Sequence, residues 1–207
     1  MTQERPYVMS FTLGGLNLHE SMIVANTYLT YRDWGKARQV ILQENLFQSR
    51  MASSSKRLLN EIVGRIRLMS EEELIFLSRS RDQDSRHLLW LAICRRYQFI
   101  QDFYQQIVVG NWLALKEYVT TDDFNLFWAQ MSVDHPEVEK ISILTKEKLR
   151  SVMFRIMREA NLIGKDKRIN TIILSKEIND LIVASDSSQL MLFTTLDLQG
   201  GFNDSRS

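Results

Sequence analysis

One cysteine, two prolines, three histidines and eight glycines are spread over 207 residues, so the residue types that most constrain a backbone or hold a metal are scarce. A single cysteine excludes an internal disulfide and a cysteine-rich zinc site, which fits a reducing cytoplasm. His19, His87 and His135 are far apart, and none has a His or Cys partner at i+4, so no zinc motif is formed. No P-loop, glycine-rich cofactor fingerprint or closely spaced His/Asp/Glu set is present, so neither a cofactor nor an enzymatic activity is expected. Long apolar runs are missing too. The run Leu88 to Cys94 stops after seven residues at Arg95-Arg96, far short of the roughly 20 that span a bilayer. The opening MTQERPYVMSFTLGG shows no basic stretch leading into an apolar one, so a secretory signal is not expected and a cytoplasmic location is.

What is present favours helix. Leu, Ile, Glu, Lys, Arg and Gln dominate and breakers are few, which predicts a mainly α fold. Hydrophobic residues make up 44% of the chain and include ten Phe and four Trp, enough for a sizeable core. That core is expected around His87–Val109, one long helix or two in line, apolar on every side from Leu88 to Cys94 and amphipathic beyond.

Other elements follow from spacing and caps. A loose arm before Ser10 and a turn at Gly14-Gly15 lead into a helix from about Asn17 to Tyr31. The glycine pair lacks the Gly-Lys-Ser/Thr ending and preceding strand of a phosphate loop, so it is read as a simple turn. A helix from Trp34 to Glu44 follows. Then Ser53-Ser54-Ser55 offer N-cap hydroxyls, caps and not nucleophiles, for a helix to about Met69. Ser70-Glu71-Glu72-Glu73 has the form of a capping box, and Thr120 to Asp123 caps a helix bearing Phe124, Phe127 and Trp128. That aromatic cluster is assigned to the core, because no basic residues interleave it as they would on a base-stacking platform.

Residues 1–135 are read as a helical domain and 136–207 as a second, winged-helix-like one with a frayed tail after about 197. In the second, Thr145 is expected to cap a helix to Asn161 and Ser175 another ending near Ala184. Gly164 to Arg168 are expected as the basic tip of a small β-hairpin wing between Leu162-Ile163 and Ile169–Leu174, whose Ile172-Ile173-Leu174 has strand character, and Leu190–Leu196 as a further strand. An ordinary helical hairpin is the alternative.

A net charge of +1 conceals segregation. Arg32 to Arg67 holds eight Lys/Arg and three acids, Glu117 to Glu139 six acids and no Lys or Arg, and Lys140 to Arg168 nine Lys/Arg and three acids. In the third helix the apolar spacing turns Arg57 and Arg67 outward, with Lys56 and Arg65 at the margins. Arg155 and Arg158 likewise project off the apolar face of a later helix.

Several stretches together resemble one family. Met9-Ser10-Phe11-Thr12, Gly14-Gly15-Leu16 and Glu20-Ser21 form one. Asn45-Leu46-Phe47-Gln48 and Arg50 leading into Ser54-Ser55-Lys56-Arg57 form another. Leu89-Trp90-Leu91-Ala92 with Cys94-Arg95-Arg96-Tyr97, and Lys148-Leu149-Arg150 with Val152 and Phe154-Arg155, complete the set. In number and order they resemble the BrxA family of bacterial BREX (bacteriophage-exclusion) systems, over most of the chain and least after about residue 185. The resemblance implies a helical or winged-helix protein, likened to the antitermination factor NusB. It implies a non-enzymatic nucleic-acid binder beside other BREX subunits, with duplex DNA favoured and RNA the alternative. The expected contacts are Arg50, Ser54, Lys56, Arg57 and Arg67 near the first basic helix, Arg155 and Arg158 on the second, and Lys165, Lys167 and Arg168 at the wing tip. A scaffold touching only protein partners is the rival. No membrane contact is expected.

Overall fold

The computed structural model describes residues 6–80 and 83–196, and the expected tail after 197 lies outside them. The described chain is mainly helical, and its axis is the segment that begins at Gln83. Before it come α1 (Leu18–Tyr31), α2 (Trp34–Gln43), α3 (Ala52–Ile66) and α4 (Glu71–Arg79). The axis itself is α5 (Gln83–Arg96), whose residues Leu88 to Cys94 are each no more than 1% exposed. Seven apolar residues in succession cover every side of a helix, so α5 is stable only when surrounded. Its neighbours include α1, α3, α4 and the later α10 (Ile143–Glu159). Burial also pushes the Cys94 thiol well above its ordinary pKa, as expected of an inert core cysteine.

Of the two forms expected for His87–Val109, the divided one is found. At Tyr97 the backbone leaves the helical region, with φ −122° and ψ 86°, and the buried phenol donates to Glu61 at 2.5 Å. The chain resumes as α6 (Gln98–Phe103), a π-helical turn over Tyr104–Val109, and α7 (Gly110–Leu113). Gly110, despite its lack of a side chain, does not break the helix and has φ −58° and ψ −46°. Phe124, Phe127 and Trp128 of α8 (Thr121–Asp134) pack on Phe99 and Phe103 with centroids 5.2–6.4 Å apart, so they are core. One continuous hydrophobic cluster runs from Tyr7 to Phe193 and takes residues from both sides of position 135.

Local caps set several boundaries. Ser70 accepts from the Glu73 amide while Glu73 accepts from Ser70, and Thr120 and Asp123 make the same reciprocal pair. Ser175 caps α11 (Lys176–Asp186) as expected. Two caps fall elsewhere. Ser142, not Thr145, accepts from the Thr145 amide to start α10, after the single turn α9 (Pro136–Glu139). Met51, without a side-chain bond, precedes α3, so Ser53 to Ser55 lie inside its first turn. Residues 1–5 of the expected loose arm lie outside the described residues, but the arm is pinned at buried Tyr7, which donates to Asp102 at 2.7 Å and through its backbone to Glu137 at 2.7 Å.

The expected β-hairpin wing is absent among the described residues. A strand needs successive bridges, whereas Ile163 pairs with Ile169 and Arg168 with Tyr118 once each. Across the turn the Gly164 amide donates to Arg168 and the Asn170 amide to Leu162, but α10 runs to Glu159 and Asn161 is left-handed at φ 60°, so the first arm is too short to extend the ladder. Leu190 to Leu192, expected as strand, belong to a 3-10 helix over Ser187–Leu192. Among the described residues no helix is long and apolar enough to cross a membrane.

Candidate nucleic-acid interface

The first basic block folds into two adjacent helices. Asp33 accepts from the Lys36 amide at 2.6 Å and starts α2, which buries Ala37 and Ile41. In α3, Leu59, Ile62, Val63 and Ile66 are no more than 1% exposed, which turns Lys56, Arg57 and Asn60 outward. Arg38 of α2 donates to Asn60 of α3 at 2.5 Å, so the cations of both helices share a surface. Arg50 is exposed in the connector, Ser54 is exposed in the first turn of α3, and Arg67 is exposed at its end. Lys36 and Arg38 were not singled out from the sequence, although α2 holds two cations and no carboxylate.

Arg65, expected at the margin of this face, turns inward and is 1% exposed. It pairs with Glu61 at 2.8 Å and donates to the Gly15 carbonyl at 2.8 Å. The one carboxylate of α3 is thereby drawn off the surface, and the i, i+4 Glu–Arg spacing was the signal for it.

The second basic set is engaged within the chain. Arg155 is exposed but donates to the Gly14 carbonyl, and Arg158 is half-buried. Lys167 donates to Thr121 at 3.0 Å and lies over the Phe154 ring at 5.4 Å. Arg168 pairs with Glu117 at 3.2 Å, with both side chains more than half exposed. Lys165 is exposed on the turn. These five residues sit on α10 and the turn after it, whereas the first set sits on α2, α3 and their flanks.

The Gly14-Gly15 turn lies between the two sets. Gly14 needs its left-handed φ of 80°, and a Cβ on Gly15 would fall 2.2 Å from the Glu159 carboxylate. That carboxylate accepts from the Leu16 amide at 2.5 Å, so the anion held by this turn is the chain's own Glu159. Among the described residues no group of three or more His, Cys, Asp or Glu is placed to hold a metal ion.

Comparison with known proteins sharpens this picture. A crystal structure of an uncharacterized protein from Magnetospirillum magneticum shares the fold, with a TM-score of 0.78 at 20% identity, covering 92% of this chain and 98% of that one. The chain is 22% identical over 159 residues to the BREX protein BrxA of Escherichia coli O9:H4 (strain HS), covering 76% of this chain and 75% of that protein. It is 19% identical over 132 residues to the BREX protein BrxA of Bacillus cereus (strain H3081.97), spanning 64% of this chain and 66% of that protein, just under two-thirds. The BrxA family model matches residues 5–186, and the chain therefore belongs to the BrxA family.

Proposed function

We propose that this protein is a non-catalytic, nucleic-acid-binding component of a BREX phage-defence system. It engages duplex DNA through the outer face of α2 and α3 and works in the cytoplasm beside other subunits of that system. The observation that carries the reading is the fate of Glu61. It is the only carboxylate within α2 and α3, its side chain is 6% exposed, and it faces Arg65. The exposed charges of the two helices, Lys36, Lys56 and Arg57, are thus all basic, as is half-buried Arg38 between them, with Arg50 and Arg67 beside them. Asp33 and Glu44, at the two ends of α2, are the acids that border the face. Duplex DNA carries one charge per roughly 1.7 Å of axis, which such a face complements through its phosphates. In this reading residues 1–135 carry the main contact. Arg155, Arg158, Lys165, Lys167 and Arg168 are secondary, because Arg155, Lys167 and Arg168 already hold acceptors within the chain. The relatives' names, BREX protein BrxA, support the system assigned.

A titration of duplex DNA, single-stranded DNA and RNA across a range of salt tests it. Affinity for duplex should fall with a slope of about −0.9 per neutralised phosphate, and Arg57→Ala should weaken binding and shallow that slope by about one unit. Arg155→Ala should change it less. Preference for RNA would replace the DNA ligand with the NusB-like one. Failure of all three ligands to bind a folded protein would leave the protein-scaffold reading. Nuclease, methyltransferase or nucleotide-hydrolysing turnover lost on one acidic substitution would refute the non-catalytic part.

A further inference from the structure

The corner between α1 and α2 interleaves aromatic rings with cations, which the Phe124–Trp128 cluster does not. Arg32 is left-handed at φ 54° and Asp33 is extended, so the chain turns sharply from Tyr31 to Trp34. Trp34 stacks on Tyr28 with centroids 3.9 Å apart and planes at 14°. Tyr28 covers one face of this ring, and the Arg67 guanidinium lies over it 5.8 Å from the ring centre. Lys36 Nζ lies 4.7 Å from the centre of the Tyr31 ring, which is 37% exposed. Trp90, Trp112 and Trp128 are all at most 7% exposed, so Trp34 is the one tryptophan that is not buried. The carboxylates at the corner are both engaged: Asp33 caps α2, and Glu71 pairs with Arg32 at 2.7 Å.

A ring with a mobile cation over its open face is what a nucleobase can replace. Every base has a π-face, and the displaced ammonium or guanidinium finds a phosphate of the flanking sugar-phosphate backbone. We infer that the Tyr31–Trp34 corner is a stacking site for unpaired nucleobases of a single-stranded nucleic acid. Successive bases lie on Tyr31 and on the outer face of Trp34, while Lys36 and Arg67 swing to the flanking phosphates. The site shares Lys36 and Arg67 with the basic face of α2 and α3, but it takes a different ligand and does not require duplex binding. It gives the protein a grip on DNA whose strands have been parted.

Intrinsic tryptophan fluorescence reads this site, because the other three indoles are buried. The protein is titrated with a thymidine decamer, a uridine decamer, an abasic deoxyribose-phosphate decamer of equal charge, and a duplex. Saturable quenching by at least one base-bearing single strand and little by the abasic strand is expected, and the two base-bearing arms distinguish DNA from RNA. Tyr31→Ala should weaken the quenching ligand about five- to a hundredfold, Tyr31→Phe should restore it, and Trp34→Phe should remove the signal. Equal quenching by the abasic strand would reduce the contact to phosphate alone and overturn the inference, as would parental affinity in Tyr31→Ala. Duplex binding without single-strand quenching sinks this site and leaves the proposed function standing. Single-strand quenching without duplex binding does the reverse.

Discussion

Replacing Arg65 with Met would strand Glu61 in the interior. The two side chains are 2% and 6% exposed and meet at 2.8 Å, and Arg65 also holds the Gly15 carbonyl at 2.8 Å. Afterwards Glu61 keeps only the Tyr97 hydroxyl at 2.5 Å among its described partners. Removing one member of a buried ion pair typically costs about 3–5 kcal/mol, because the remaining charge has lost its compensation. For a chain of this length about 1 kcal/mol moves the melting temperature by roughly 2–4 °C, so Arg65→Met should melt on the order of 10 °C below the parent. Circular dichroism melts and urea titrations measure it. The control is Arg65→Met with Glu61→Leu, which removes both charges. An apolar pair of similar volume can replace a buried ion pair at little cost, although Tyr97 then loses its acceptor at about 1–3 kcal/mol. The double variant should therefore regain part of the loss. A single variant within about 1 kcal/mol of the parent, or a double variant less stable than the single, would refute the reasoning.

Ser70→Ala removes one half of the capping box that starts α4, and urea unfolding should register a loss of roughly 1 kcal/mol. Gly15→Ala places a Cβ against Glu159 and drives the carboxylate from the Leu16 amide, a loss of about 1.5–3 kcal/mol for a charge-assisted bond. Equal stability would mean the turn yields freely. Burial raises the Glu137 carboxyl, but hydrogen bonds from the Tyr7 amide, its own amide and His135 outweigh it and hold its pKa below the ordinary 4.5. Its stabilising contribution is therefore complete above about pH 4.5 and disappears as pH falls through the lower native value. Glu137→Gln should thus be less stable than the parent at neutral pH and converge with it in acid, and a constant gap down to about pH 3 would exclude the linkage.

Elements governed by neighbours in sequence were legible. The caps at Ser70, Thr120 and Ser175 depend on residues three positions away, and the burial of Leu88 to Cys94 follows from an apolar run without a polar side. Where two local signals competed, spacing did not choose between them. Ser142 and Thr145 can both cap a helix, and the upstream hydroxyl won. Ser54 has a good cap side chain, yet the extended Met51 precedes the helix. What depends on distant chain was not legible. Residues 117–119 bond Lys167 and Ile169 from far along the chain, and the wing is cut short by α10 running to Glu159. Tyr7 is held by Asp102 and Glu137, on helices far along the chain.

The two basic blocks show why charge density in sequence does not rank binding surfaces. In the first, folding removes Glu61 with one cation out of eight, so the ratio of exposed positive to negative charge rises. In the second, the acid of α10's last turn, Glu159, is spent on the Leu16 amide, but three of the cations singled out as contacts are spent as well. Arg155 goes to the Gly14 carbonyl, Lys167 to Thr121 and Arg168 to Glu117. A phosphate reaching those residues must displace an acceptor already in place, whereas one reaching Lys56 or Arg57 meets exposed side chains on the outer face of α3. Displacement therefore subtracts from the Coulomb gain at Arg155, Lys167 and Arg168 and not at Lys56 and Arg57. The same network fixes the Gly14–Leu16 turn between α3 and α10 through Arg65, Arg155 and Glu159, so charged residues of both blocks are used to tie the two helices to one turn.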